Sequence, residues 1–123
     1  MKTILINTHE KVALININII NYVEAEGAYT SIYTSDFNNV KCSKNINNVS
    51  KLLNSSDIVR LSRSLIVNIS NIEEIRKFNT YCIVYFKNKA NIELSKNLSN
   101  RLINYLSEFY LKIDETNQST LVA

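Results

Sequence analysis

The sequence predicts one mostly β domain with a short helix in its middle and a longer helix near its end. Three observations predict it. Short β-rich runs, alternating or continuously apolar, recur between residues 3 and 94. Residues 43–53 switch to helical spacing. Residues 98–113 place Leu98, Leu102, Leu106, Phe109 and Ile113 along one helical stripe. A chain of 123 residues suits one domain with one modest core.

The elements follow in order. Residues 3–7 (TILIN) and 11–15 (KVALI) read as strands around a hairpin loop at Thr8-His9-Glu10. Residues 19–24 (IINYVE) and 28–34 (AYTSIYT) read as the next two. Gly27 sits between them, where a turn or bulge needs a permissive residue. Alternation in the second of these puts Tyr29, Ser31 and Tyr33 on one face and Thr30, Ile32 and Thr34 on the other. We expect Tyr29 to be in the core or partly buried and Thr30 to point to the opposite face. Residues 36–39 (DFNN) turn the chain into a short strand at 40–43.

Ile46, Val49, Leu52 and Leu53 then mark one face of a short helix, with Ser43 as the candidate N-cap. Residues 54–57 (NSSD) end it. Residues 58–61 and 65–69 read as strands on either side of Ser62-Arg63-Ser64, and residues 72–78, 81–86 and 90–94 as a meander. Ser95 or Asn97 caps the final helix. Residues 1–110 thus make the domain, and residues 111–123 read as a disordered tail.

Composition excludes several classes. The net charge is only +3, but it is unevenly spread. Residues 37–112 carry twelve basic and five acidic side chains, a local balance of +7, which suits a polyanionic partner as well as a solvated lysine surface. Cys42 and Cys82 are isolated and His9 is the only histidine, too few for the roughly four clustered ligands of zinc. We expect two buried free thiols in a cytoplasmic protein. No stretch approaches the roughly 18 apolar residues of a membrane span, so no membrane partner is expected. A single glycine rules out a glycine-rich phosphate loop. No cofactor, metal or catalytic constellation is legible. Proline is absent, and about one residue in six or seven is asparagine. Asn and Asp are therefore expected to supply the tight turns, since they tolerate left-handed backbone best after glycine.

Two places break the apolar framework with short hydroxyls, an amide or a long cation: Ser62-Arg63-Ser64 and Ser95-Lys96-Asn97. Such side chains donate to phosphate oxygens and base-pair edges. Arg63, set in a polar triplet between apolar runs, can grip guanine O6 and N7 with two parallel bonds. Arg60 can do the same or pair with an acid such as Asp57, and Asn68 can simply close a backbone turn. Ser95-Lys96-Asn97 opens a helix, whose first amides favour an anion, although capping alone would also explain Ser95 and Asn97. An outward Thr30 could meet a phosphate or a thymine methyl.

Four blocks, in order and at characteristic spacing, resemble the LytTR family, the DNA-binding domains of AgrA/AlgR/LytR-type bacterial transcription regulators. They are INYVEAEGAYTSIYT; VRLSRSLIVNISNIEEI, like the family's F-R-[IV]-H-[RN]-S-[YF]-[LI]-[VI]-N; the hairpin YCIVYFKNKANIEL; and SKN, like its final S-[RK] before a helix. The resemblance spans residues 4–110. It implies elongated antiparallel β-sheets of LytTR type, with loops rather than a recognition helix entering successive major grooves of double-stranded DNA. The family's contact positions fall on Thr30, on Ser62 and Arg63, and on Lys96 with Asn97, with Ser64 and Ser95 beside them. It also implies promoter DNA carrying imperfect direct repeats, bound by paired domains or a homodimer. The chain enters the pattern within its first residues, so it reads as a stand-alone regulator or as a fragment of a response regulator.

Two departures bear on selectivity. Ser62 stands where the family usually has His, and Lys96 where Arg is common; lysine lacks the planar fork of a guanidinium. The rival classes are an RNA-binding module, which would stack bases on some of the seven tyrosines, and a protein-interaction module using the 98–113 stripe.

Overall fold

The computed structural model describes residues 2–115. The described residues form ten strands and two helices, with two single 3-10 turns. β1 (Thr3–Asn7) and β2 (Val12–Asn16) pair as an isolated antiparallel hairpin. β3 (Ile20–Glu26), β4 (Tyr29–Thr34), β5 (Val40–Cys42), β6 (Ile58–Ser62) and β7 (Leu65–Asn68) form a five-stranded antiparallel sheet in the order β5-β4-β3-β7-β6. β8 (Ile72–Lys77), β9 (Tyr81–Phe86) and β10 (Asn91–Ser95) form the meander, in the order β10-β9-β8. α1 (Ile46–Leu52) lies between β5 and β6, and α2 (Lys96–Phe109) follows β10 directly.

The five-stranded sheet is covered on both faces. Val23 of β3 pairs with Ile66 of β7, and both join one core with Ile4, Ile6 and Ile15 of the hairpin and Ile46 and Val49 of α1. Their neighbours Tyr22 and Val67 pair on the opposite face and join a second core with Val84 and Phe86 of the meander and Leu102 of α2. Side chains alternate along a strand, so a strand covered on both faces is apolar throughout. This is why Leu65–Asn68 is buried at every position. Cys42 and Cys82 are both buried free thiols.

Asparagine does much of the turn-making, by a route other than the expected one. Among the described residues, positive φ occurs at Gly27, Phe37 and Lys89, never at Asn or Asp. The asparagines work from extended backbone, as caps. Asn16 and Asn68 cap the two 3-10 turns and Asn45 caps α1, each accepting a backbone N–H. A side-chain oxygen that imitates a backbone carbonyl needs no left-handed residue. Gly27 does have a positive φ of 63°, at the first position of the two-residue loop joining β3 to β4, where the right-handed strand twist demands it.

Several boundaries differ from expectation. Asn45, not Ser43, caps α1, and its buried face is Ile46, Val49 and Leu53, while Leu52 is exposed. α2 ends at Phe109, so the stripe does not run to Ile113. Leu102 is fully buried, but Phe109 is half-exposed and Ile113 lies in solvent. Helical stability in a protein comes from packing one face, and beyond Leu106 there is no wall to pack against. Of the expected tail, residues 111–115 carry no helix or strand, and residues 116–123 lie outside the described residues.

Candidate nucleic-acid interface

β6 and β7 are joined across Ser62-Arg63-Ser64, with a register irregularity between Arg60 and Ser62. Pairing resumes at Ser62↔Leu65, so Arg63 and Ser64 alone make the turn. Ser62 Oγ accepts from Ser64 N at 3.2 Å, which leaves the Ser62 hydroxyl proton free to donate. Arg63 is exposed, and its guanidinium makes no hydrogen bond or ion pair with any described residue. Ser64 is exposed as well.

Arg60 takes neither role anticipated for it. It forms no salt bridge with Asp57. Its Nε donates to Ser62 O at 2.7 Å, and its Nη2 donates to Arg63 O at 2.7 Å and to Asn47 Oδ1 of α1 at 3.1 Å. Asn68 is a buried structural residue: it donates to Ile20 O and caps the 3-10 turn.

At the start of α2, Ser95 is the N-cap; its Oγ accepts from Leu98 N at 3.3 Å. Lys96 is exposed and its Nζ reaches Asn79 O, on the β8–β9 loop, at 3.2 Å. Asn97 is exposed on the first turn. Sequence reasoning missed Arg101, one turn further on, whose Nη1 donates to Leu61 O at 2.6 Å and ties α2 to the base of the Arg63 turn.

The third expected contact is corrected. The two faces of β4 are as alternation predicts, but it is the Thr30 face that is buried throughout, while Tyr29 stands exposed. Thr30 is 1% exposed, and its hydroxyl donates to Lys44 O at 2.7 Å, so it offers nothing to a partner. Tyr29 is half-exposed instead. The residues that this turn presents are Gly27, Ala28 and Tyr29. The first core, with Ile32 and Val23 in it, lies on the Thr30 face and claims it. A threonine is tolerated there because its hydroxyl is bonded.

A chain of hydrogen bonds links the three turns. Ala25 N donates to Ser64 O at 2.9 Å, joining the Gly27 turn to the Arg63 turn. Arg101 joins the Arg63 turn to α2, and Arg60 joins it to α1. The three ion pairs among the described residues use Lys41, Arg76 and Lys89. Arg63, Lys96, Lys44, Arg60 and Arg101 thus have no carboxylate partner among the described residues.

The acids nearest the Gly27 turn are Glu24 and Glu26. Glu26 accepts from Tyr33 Oη at 2.6 Å and Ser31 Oγ at 2.9 Å, with Lys41 Nζ at 3.8 Å. These bonds, the tyrosine's first, hold its carboxyl below the usual range. Burial and then the charge of Glu26 push Glu24 up. Tyr22, stacked on Tyr33 at 4.4 Å, is pushed to about 12, first by burial and then by Tyr33 and the two carboxylates. It remains a neutral phenol.

The family described as "LytTr DNA-binding domain" matches residues 10–107. Among solved structures, the chain is similar in fold to the LytTr DNA-binding domain of a protein described as a methyl-accepting/DNA response regulator from Bacillus cereus. That likeness has a TM-score of 0.70 and 17% sequence identity, and covers 86% of this chain and 97% of that one. No curated protein matches.

Proposed function

The chain belongs to the LytTR family of DNA-binding domains, and from that premise we propose that it binds double-stranded promoter DNA sequence-specifically, through turns laid in the major groove. DNA binding in the service of transcription regulation follows from the family itself. The finer reading rests on one observation: Arg63 is an exposed, unpaired guanidinium on a turn whose carbonyls are all held by hydrogen bonds.

In this reading Arg63 reads a guanine edge by two parallel bonds. Ser62 and Ser64 donate to phosphates and set the register. Lys96 and Asn97 meet a second stretch of groove, and Ser95 holds the helix start that carries them. Gly27, Ala28 and Tyr29 take the place of Thr30 at the third turn. Lys44 and the other unpaired cations supply affinity by displacing counterions, so binding weakens steeply with salt. Two domains on imperfect direct repeats, inside the cytoplasm, complete the proposal.

The test is selection from a random duplex library, with the winner's affinity measured at two salt concentrations. An enriched motif whose affinity falls steeply with salt supports this reading. Binding without enrichment reduces Arg63 and Lys96 to phosphate contacts. Tighter binding to single strands than to duplex would favour RNA.

A further inference from the structure

The four consecutive carbonyls Leu61 to Ser64 all accept hydrogen bonds, and three of them accept from guanidinium groups. Arg101 Nη1 holds Leu61 O at 2.6 Å, and Arg60 holds Ser62 O through Nε and Arg63 O through Nη2, both at 2.7 Å. Ala25 N holds Ser64 O at 2.9 Å. The donors come from β6 itself, from α2 and from β3. Neither arginine has a carboxylate partner; two cations that could have sought acids bind neutral carbonyls instead.

We infer that Arg60 and Arg101 form a clamp that fixes the Ser62-Arg63-Ser64 backbone before DNA arrives, and that this clamp sets how sharply Arg63 distinguishes bases. The inference rests on the DNA-binding reading above. Arg63 and Ser64 have no partner in the strand ladder, so their backbone is free unless held, and freedom lost on binding weakens the complex. Two parallel bonds to a base edge also need the guanidinium placed closely, which a wandering backbone would not allow. The planar guanidinium of Arg60 spans two neighbouring carbonyls at once. An ammonium can carry the same charge but not that geometry. Both arginines are therefore positioning residues. The Asn47 bond extends the clamp to α1, so both helices are anchored to the turn.

The experiment compares wild type with Arg60→Lys and Arg101→Lys, each keeping the charge and removing the fork. Affinities are measured for the library-selected duplex and a scrambled one at two salt concentrations. We expect the selected duplex to lose about tenfold, as one residue's backbone freedom would cost, while the scrambled duplex and the salt dependence stay unchanged. In an Arg63→Ala background, Arg60→Lys should have no further effect on discrimination, since the clamp acts through Arg63. In the free protein, the Ser64 amide, which donates to Ser62 Oγ, should exchange faster in Arg60→Lys while the β7 amides keep their protection.

Equal losses on both duplexes, a further loss in the Arg63→Ala background, or unchanged Ser64 exchange would each overturn the clamp. A wild-type protein that binds both duplexes alike sinks the DNA reading and the clamp with it. A discriminating wild type whose Arg60→Lys variant discriminates as well sinks the clamp alone.

Discussion

The Arg63 turn and the Lys96 turn carry similar chemistry, a cation between small polar residues, but they are held in opposite ways. The Arg63 turn is held through its carbonyls, from β6, α2 and β3, and its cation is left free. The Lys96 turn is held by its own helix: Ser95 caps Leu98 N, and Ser99 Oγ returns to Ser95 O at 2.8 Å. There it is the cation that is tethered, to Asn79 O of a neighbouring hairpin. A fixed backbone with a free planar side chain suits base reading. A helix start with a flexible ammonium suits charge and phosphate.

The largest expected effect tests the first half of that contrast. Arg63→Ala should cost about 1–3 kcal/mol of binding to the selected duplex and flatten preference at one base position. Equal losses on selected and scrambled duplexes, measured by titration, would make Arg63 a phosphate contact. Next, Ser95→Ala removes the cap on which the second turn depends, and should lower stability by about 1 kcal/mol in denaturant titration. The same substitution at Ser64, whose hydroxyl caps nothing, should leave stability within about 0.5 kcal/mol.

Thr30→Val probes the residue that burial takes out of the interface. It deletes the bond to Lys44 O, so stability should fall by about 1 kcal/mol with base preference unchanged. A shift in preferred sequence would return Thr30 to the contact surface. Lys44→Ala should lower affinity on every duplex alike and reduce the salt slope by about one. A loss confined to one sequence would show that this lysine does more than contribute charge.

The smallest effect is on pH dependence, beside the Gly27 turn. Glu26, with its pKa lowered from 4.5, contributes stability that is present above that value and lost as pH falls through its lowered pKa. Glu24, with its pKa raised from 4.5, contributes stability that is present below that value and lost as pH rises through its raised pKa. Glu24→Gln should therefore remove the decline on the alkaline side and raise stability near neutral pH, as urea titrations at several pH values would show. An unchanged profile would mean that neither burial nor Glu26 raises the Glu24 carboxyl.

Much of this molecule was legible in the chain. Periodicity located every strand within a few residues, and both helices. It also picked out the Arg63 and Lys96 turns as the places where apolar pattern yields to cations and hydroxyls. The two 3-10 turns were missed, because three residues are too few to show a period. Their signal was present in the asparagine before each turn, Asn16 and Asn68. Asparagine's abundance pointed to turns correctly, but to left-handed backbone wrongly.

The sequence by itself determined which residues share a face, where turns fall and what chemistry the turns carry, because these are local consequences of backbone geometry and side-chain type. Tertiary structure decided which face was covered. Alternation separates Tyr29 from Thr30 without saying which meets a core, and the first core buries Thr30. It decided where α2 stops, since the stripe continues past the last wall that could bury it. It also decided the work of Arg60 and Arg101. A guanidinium's partners are set by whichever acceptors the fold brings within reach, and here those were the carbonyls of residues up to forty positions away.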